Sequence, residues 1–290
     1  MSEYIISTSS TADLPKSYVE ENGLLYFPFS FDIEGKEYKD NFGQDMSVKD
    51  FYARLRQGAS STTSMINRAA FEQGFIPHLE KGTNILHIEF SSALSGTYQN
   101  AVSAAQDLNE KYPGKLIVID SLCASLGQGL FVDYAVQMKK QGKSMQEVAD
   151  WLEANKKNII HWFTVDDLNH LRRGGRISKA SAFFGTMLQI KPVLDVDDEG
   201  RLIPHFKVKG RKKAILELLN RMKEDIKNPD GQTVFISHGD CEEDAQALKA
   251  MIEETFQVGH VMINPIGPVV GAHSGPGTLA LFYMGKQRYN

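Results

Sequence analysis

Short apolar runs and helix-spaced apolar residues alternate along the first half of the chain. Tyr4-Ile5-Ile6 reads as the start of a buried strand. Leu24-Leu25-Tyr26-Phe27 and Phe29, Phe31 and Ile33 read as extended, the latter with a period of two. Helical spacing predicts helices over 47–57, 67–79, 95–111 and 128–140. In the first of these, Val48, Phe51, Tyr52 and Leu55 share one face, and Ser47 with Asp50 reads as a capping box. Ile85-Leu86-His87-Ile88 and Leu116-Ile117-Val118-Ile119 are strands between them, the second apolar enough to be buried on both faces. Strand and helix alternating at this spacing predict a parallel sheet covered by helices.

The second half has a different rhythm. Ile159-Ile160-His161-Trp162-Phe163 reads as a strand, and 167–173 as a short helix stopped by Gly174-Gly175. Ser178 caps a further predicted helix carrying Phe183, Phe184, Met187 and Leu188. Apolar residues flanking Asp197-Asp198-Glu199-Gly200 predict a hairpin over 192–209, with Asp195, Asp197, Asp198 and Glu199 at a solvated tip. Ala214, Ile215, Leu218, Leu219, Met222 and Ile226 form a helical stripe, and strands at 233–237 and 260–264 flank one more helix. The expectation is two α/β domains, 1–160 and 161–290, divided near Asn155-Lys156-Lys157-Asn158. The first has a mainly parallel sheet flanked by helices, and the second is a smaller mixed-sheet domain.

A length of 290 residues suits that division, and 42% hydrophobic with 23% charged residues is the balance of an ordinary globular protein. No apolar run approaches the ~20 residues that span a bilayer. Met1-Ser2-Glu3-Tyr4-Ile5-Ile6 lacks the basic start and apolar stretch of an export signal, so a cytoplasmic protein is expected. The net charge of −4 argues against a general nucleic-acid binder. Cys123 and Cys241 are far apart, which excludes a disulfide scaffold and a thiolate zinc site. Against this background, eleven Lys or Arg and four Asp or Glu between Arg172 and Lys213 make a local balance of +7: a solvated face, or a docking patch for an acidic partner protein.

Three polar clusters could carry chemistry: Ser60-Ser61-Thr62-Thr63-Ser64, Ser91-Ser92-Ala93-Leu94-Ser95-Gly96-Thr97, and Gly271-Ala272-His273-Ser274-Gly275-Pro276-Gly277. Hydroxyls before helices serve as caps. Grouped where strands end and helices begin, they would also suit a carboxylate or phosphate. Familiar enzyme signatures are missing. No Gly-x-Ser-x-Gly surrounds Ser95 or Ser274, Gly142-Lys143-Ser144 lacks the first glycine of a phosphate loop, and Gly127-Gln128-Gly129 lacks the third of a dinucleotide motif. His238-Gly239-Asp240-Cys241 reads as a turn rather than a metal site.

Four elements in order, Ser91-Ser92-Ala93-Leu94-Ser95-Gly96-Thr97-Tyr98, Arg173-Gly174-Gly175-Arg176-Ile177, Ile190-Lys191-Pro192-Val193-Leu194 and Gly271-Ala272-His273-Ser274-Gly275-Pro276-Gly277-Thr278, resemble the DegV family. The resemblance runs end to end. It implies a bacterial fatty-acid-binding protein without catalysis of its own, with the acid buried between two α/β domains and presented to an ATP-dependent fatty acid kinase for acyl-phosphate formation in phospholipid metabolism. It places the carboxylate on Thr63, Ser95 and His273, with Ser64, Ser92, Gly96 and Thr97 as secondary head-group residues. The first domain would hold the head group and the second would close the acyl tunnel. Arg173, Arg176 and Lys209 become the docking face for the kinase. No cofactor or metal is implied. Three departures from the family pattern stand out: Thr8-Ser9-Ser10 without its usual acid, Met65-Ile66 in place of Gln-Pro, and Lys209 where Arg is usual. The alternative is a small-molecule hydrolase or phosphate-ester enzyme using Ser95 and His273.

The chemistry is coherent on its own terms. Burial contributes about 0.8 kcal/mol per CH₂, on the order of 10 kcal/mol gross for sixteen carbons. Ile66, Leu126, Phe131, Phe183, Phe184, Met187, Leu188 and Ile190 are the expected tunnel wall. Hydroxyls, rather than an arginine clamp, are expected to hold the carboxylate and leave it nucleophilic.

Overall fold

The computed structural model describes residues 4–177 and 189–289. In chain order its elements are β1 (Tyr4–Ser9), α1 (Lys16–Glu21), β2 (Leu25–Phe27), β3 (Ser30–Ile33), β4 (Lys36–Lys39), α2 (Val48–Arg56), β5 (Ser61–Ser64), α3 (Arg68–Leu79), β6 (Asn84–Glu89), α4 (Thr97–Lys111), β7 (Leu116–Asp120), α5 (Leu126–Lys140) and α6 (Met145–Asn155). These are followed by β8 (Ile159–Thr164), α7 (Asn169–Arg173), β9 (Ile190–Val196), β10 (Leu202–Lys209), α8 (Arg211–Asp225), β11 (Thr233–His238), α9 (Glu242–Thr255), β12 (His260–Pro265), α10 (Pro268–Ser274) and β13 (Leu279–Met284). The predicted helix after Ser178, with Phe183, Phe184, Met187 and Leu188, lies outside the described residues.

Among the described residues the strands form three sheets. An all-parallel sheet runs β2-β1-β6-β7, a mixed sheet runs β10-β9-β8-β13-β11-β12, and a small antiparallel sheet runs β4-β3-β5. The mixed sheet, with six strands, is the larger of the two main sheets. Its strands all lie beyond residue 158, and those of the other two lie before residue 121. Helix α5 packs on β1 and β6 of the parallel sheet and on β8, β11 and β13 of the mixed one, so it is buried almost all round. That position explains Gly127 and Gly129. A Cβ at Gly127 would stand 2.2 Å from His161 Nε2, and one at Gly129 would stand 2.7 Å from the Ala12 carbonyl oxygen. The glycines serve close packing, not a nucleotide.

Local chemistry sets the helix ends. Ser47 accepts from the Asp50 N–H, and Asn67 accepts from the Ala70 N–H. Ser144 and Glu147 form a reciprocal capping box on α6, a signature that the sequence carries openly as Ser-x-x-Glu.

Several expectations are corrected. The first hydroxyl cluster is a strand, not a pre-helix loop: β5 pairs with β3, setting Thr63 opposite Phe31. Its side chains alternate between half-buried and exposed, so a strand without one apolar residue still has an inner face carrying Ser61 and Thr63. β7 is an edge strand with Ile117 and Val118 only half-buried, because β6 is its one partner. Asp195 is buried at 2% exposure and bonded to His205 at 2.7 Å, while Asp197, Asp198 and Glu199 occupy the turn. The third cluster contains the last turn of α10, so His273 sits at a helix C-terminus rather than before a helix. None of the described helices is long and apolar enough to cross a membrane.

Candidate functional site

An apolar cavity with an empty volume of about 840 Å³, its mouth included, opens between the two main sheets. Phe29, Phe90 and Leu94 from the first half of the chain face Phe163, Leu202 and Phe282 from the second. Thr63, Ser95 and His273 all line it, and so does Arg176. Met65 lies on the same wall with 56% exposure.

Three elements bring these groups together. β5 carries Thr63 on its inner face, α10 carries His273 in its last turn, and the two pack against one another. Thr63 Oγ1 and His273 Nε2 are 2.8 Å apart. Ser95 lies one residue before the Gly96 N-cap of α4; its Oγ is 2.9 Å from Thr97 Oγ1 and accepts from the Thr97 N–H. Arg176 follows the Gly174-Gly175 stop of α7; its Nε donates to the Leu94 carbonyl and its Nη1 to that of Gly174. Two of its five N–H donors are therefore spent on backbone, which leaves three. Arg176 stands near the Thr63–His273 pair as a positive charge.

Burial, and then the Arg176 charge, push His273 down to about 4. The imidazole is neutral at pH 7 and acts as a hydrogen-bonding group. A second, polar groove of about 670 Å³ shares Thr63, Arg176 and His273 with the apolar cavity and adds Ser60, Thr62 and Arg173. The Thr63–His273 pair thus stands between an apolar chamber and a polar approach.

The remaining expected residues fall elsewhere. Ser64 is on the opposite face of β5 from Thr63, and Ser64, Ser92, Gly96 and Thr97 line neither space; Thr97 touches the site only through Ser95. Lys209 is exposed at the end of edge strand β10. Leu126, Phe131 and Ile66 are buried in the cores, and Ile190 is half-buried; none of the four lines the cavity. For the hydrolase alternative, Ser95 and His273 line the same cavity, with His273 bonded to Thr63 and Ser95 to Thr97. A Ser7–His87–Glu89 relay does exist, with contacts of 2.9 and 3.0 Å, but all three residues are at 0% exposure and line neither space. Among the described residues no group of His, Cys, Asp and Glu is placed to hold a metal.

Sequence reasoning missed the anchoring of α10. The Gly267 N–H donates to Asp13 Oδ1, Ser125 donates to Asp13 Oδ2, and Asp40 lies beside Asp13. Burial pushes the Asp40 carboxyl up to about 7, against hydrogen bonds from Ser10 and the Val269 N–H. Burial raises Asp13 as well. The sign follows from proton uptake. Between pH 4 and 7 the folded protein holds the Asp40 proton that the unfolded chain gives up, so this contribution is full below about pH 4 and is lost as pH rises through 7. In urea titrations, Asp40→Asn should gain stability over wild type as pH increases from 5 to 8, by a few kcal/mol at most. A gap that stays constant over that range means Asp40 does not titrate there.

The model of the uncharacterised-protein DegV family matches residues 4–286. A DegV domain-containing protein of Clostridium perfringens is 46% identical over 289 residues, 99% of each chain. The fatty-acid-binding DegV family protein of Thermus thermophilus superposes with a TM-score of 0.89 at 30% identity, over 98% of this chain and 100% of that one. A stearic acid-binding protein of Eubacterium ventriosum gives 0.85 at 26% identity over 98% of each. With a family model spanning nearly the whole chain and a relative of almost half-identical sequence, this chain belongs to the DegV family.

Proposed function

We propose that this protein binds a long-chain fatty acid in the apolar cavity, with the carboxylate at Thr63, Ser95, His273 and Arg176, and presents it to an ATP-dependent kinase in the cytoplasm for acyl-phosphate formation. The observation that carries the reading is a single cavity, apolar along its walls and ending at a Thr–His pair beside an arginine. The relatives that bind fatty acids support it. Domains 1–160 and 161–290 would each supply one wall.

The residues perform distinct tasks. With the proton of His273 on Nε2, the imidazole donates to Thr63 Oγ1 and leaves the threonine proton for the ligand. Thr97, by donating to Ser95, frees the Ser95 proton in the same way. Arg176 compensates the carboxylate charge, which is costly to bury alone. The polar groove gives a phosphoryl donor access to the carboxylate from outside, and exposed Arg173 on its rim is the docking contact for the kinase.

Purified protein extracted with organic solvent should release fatty acid in near-stoichiometric amount by mass spectrometry. Thr63→Ala and Ser95→Ala should fold normally and bind about 10- to 100-fold more weakly, the loss of a charge-assisted hydrogen bond. Arg173→Glu should keep its lipid and slow acyl-phosphate formation with a fatty acid kinase and ATP. Full lipid content in both alanine variants overturns the head-group assignment, and unchanged kinetics of the glutamate variant overturn the docking role.

A further inference from the structure

Among the described residues, six hydroxyl side chains line the apolar cavity, and five are engaged within the protein. Thr11 donates to Gln128, Thr63 pairs with His273, Ser95 with Thr97, Ser125 with Asp13, and Thr278 donates to the Ser274 and Gly275 carbonyls. Ser274 is the exception among the described residues. Its Oγ is buried, has no hydrogen-bond partner, and belongs to a residue at 6% exposure on the cavity wall. A serine in a helix can return its proton to the carbonyl four residues earlier. Ser274 does not, although it lies in the last turn of α10.

An unsatisfied buried hydroxyl carries the full desolvation penalty of its group unless something else satisfies it. Ser274 is itself a residue of the cavity wall, where a bound ligand can supply the missing partner. Ser274 immediately follows His273 on α10, so their Cα atoms are about 3.8 Å apart, and both residues line the cavity. We infer that Ser274 Oγ–H donates a hydrogen bond to the ligand carboxylate, as a head-group contact on α10 in addition to those of Thr63 on β5 and Ser95 before α4. This rests on the fatty-acid reading above and adds to it a residue whose hydroxyl is unsatisfied until ligand arrives. The surroundings of α10 fix that geometry. Thr278 holds the Ser274 carbonyl, and Gly275, at φ +80, lets the chain turn away where a Cβ would stand 2.5 Å from His170.

The test is Ser274→Ala in the full chain, measured delipidated and with hexadecanoic acid or its methyl ester. The variant should bind the acid about 10-fold or more weakly, lose no more than about 3-fold with the uncharged ester, and have a ligand-free thermal midpoint at or above that of wild type. Opposite signs for ligand-free stability and acid affinity distinguish a ligand contact from a structural hydroxyl. Equal affinity of variant and wild type for the acid overturns the inference, as does an equal loss for acid and ester, or a lowered ligand-free midpoint. Wild type that binds neither ligand sinks the fatty-acid reading itself, a result separate from any of these.

Discussion

Gly174→Ala is expected to empty the head-group site without unfolding the protein. Gly174 ends α7 with φ −72 and ψ −8, a conformation that alanine adopts freely, so the backbone gives no reason for glycine. The reason is His273. A Cβ on residue 174 would lie 2.3 Å from Nδ1 and 3.2 Å from Cγ of that imidazole. The ring must move, and its Nε2 then leaves the 2.8 Å contact with Thr63 Oγ1. The same glycine carbonyl accepts from Arg176, so one residue positions the imidazole by leaving it room and the guanidinium by a hydrogen bond. Fatty acid affinity should fall about 10- to 100-fold, close to the loss in Thr63→Ala. In a His273→Ala background the same Gly174→Ala change should cost almost nothing, since the clash is gone. Additive losses in the double variant would mean that Gly174 acts on something other than His273.

The parts of this arrangement differ in how openly the sequence displays them. Helices with one apolar face, such as α2 with Phe51, Tyr52 and Leu55, and parallel strands of β-branched residues, such as β6, are periodic and readable. β5 is not: Ser-Thr-Thr-Ser has no hydrophobic alternation, and only its pairing with β3 makes it a strand. The second half of β1 is hidden in the same way, because Ser7, Thr8 and Ser9 are fully buried by bonding His87, Ile88 and Glu89 rather than by being apolar. α10 was announced by Pro268 at its start and Gly275 after its end, yet seven residues are too few for a periodic signal. Thr63, Ser95 and His273 were reachable through family motifs. Arg176 was singled out for its charge, but its place at the cavity depends on the turn at Gly174-Gly175 and could not be read from spacing. The cavity wall was misjudged because apolar residues at helical spacing look alike whether they meet a neighbour or a void. Leu126 and Phe131 meet neighbours.

Arg288 gave no sequence signal, and its removal should have the largest effect on stability. It lies two residues beyond the segment matched by the family model, with 2% exposure. Its Nε donates to the Ile159 carbonyl, Nη1 to that of Asp197, and Nη2 to those of Leu122 and Lys156. Those carbonyls come from the β7–α5 connection, the turn after α6, the first residue of β8 and the β9–β10 turn. The last of these belongs to the hairpin that also contributes Val196 and Leu202 to the cavity. One planar, multiply donating cation satisfies acceptors from four segments, which an ammonium with three donors on a flexible stem cannot do. Arg288→Ala takes a donor from all four carbonyls and opens a void, and should destabilise by about 3–5 kcal/mol. For a chain of this size that lowers the melting temperature by on the order of 10 °C. Arg288→Lys should recover less than half of the loss. A lysine variant as stable as wild type in urea titration would show that charge at this position suffices and that the fan of carbonyl contacts does not set the stability. Because β9 and β10 wall the cavity from one side, the alanine variant should also lose bound lipid on heating before it unfolds, with ligand release and loss of far-ultraviolet circular dichroism as separate transitions where wild type shows one.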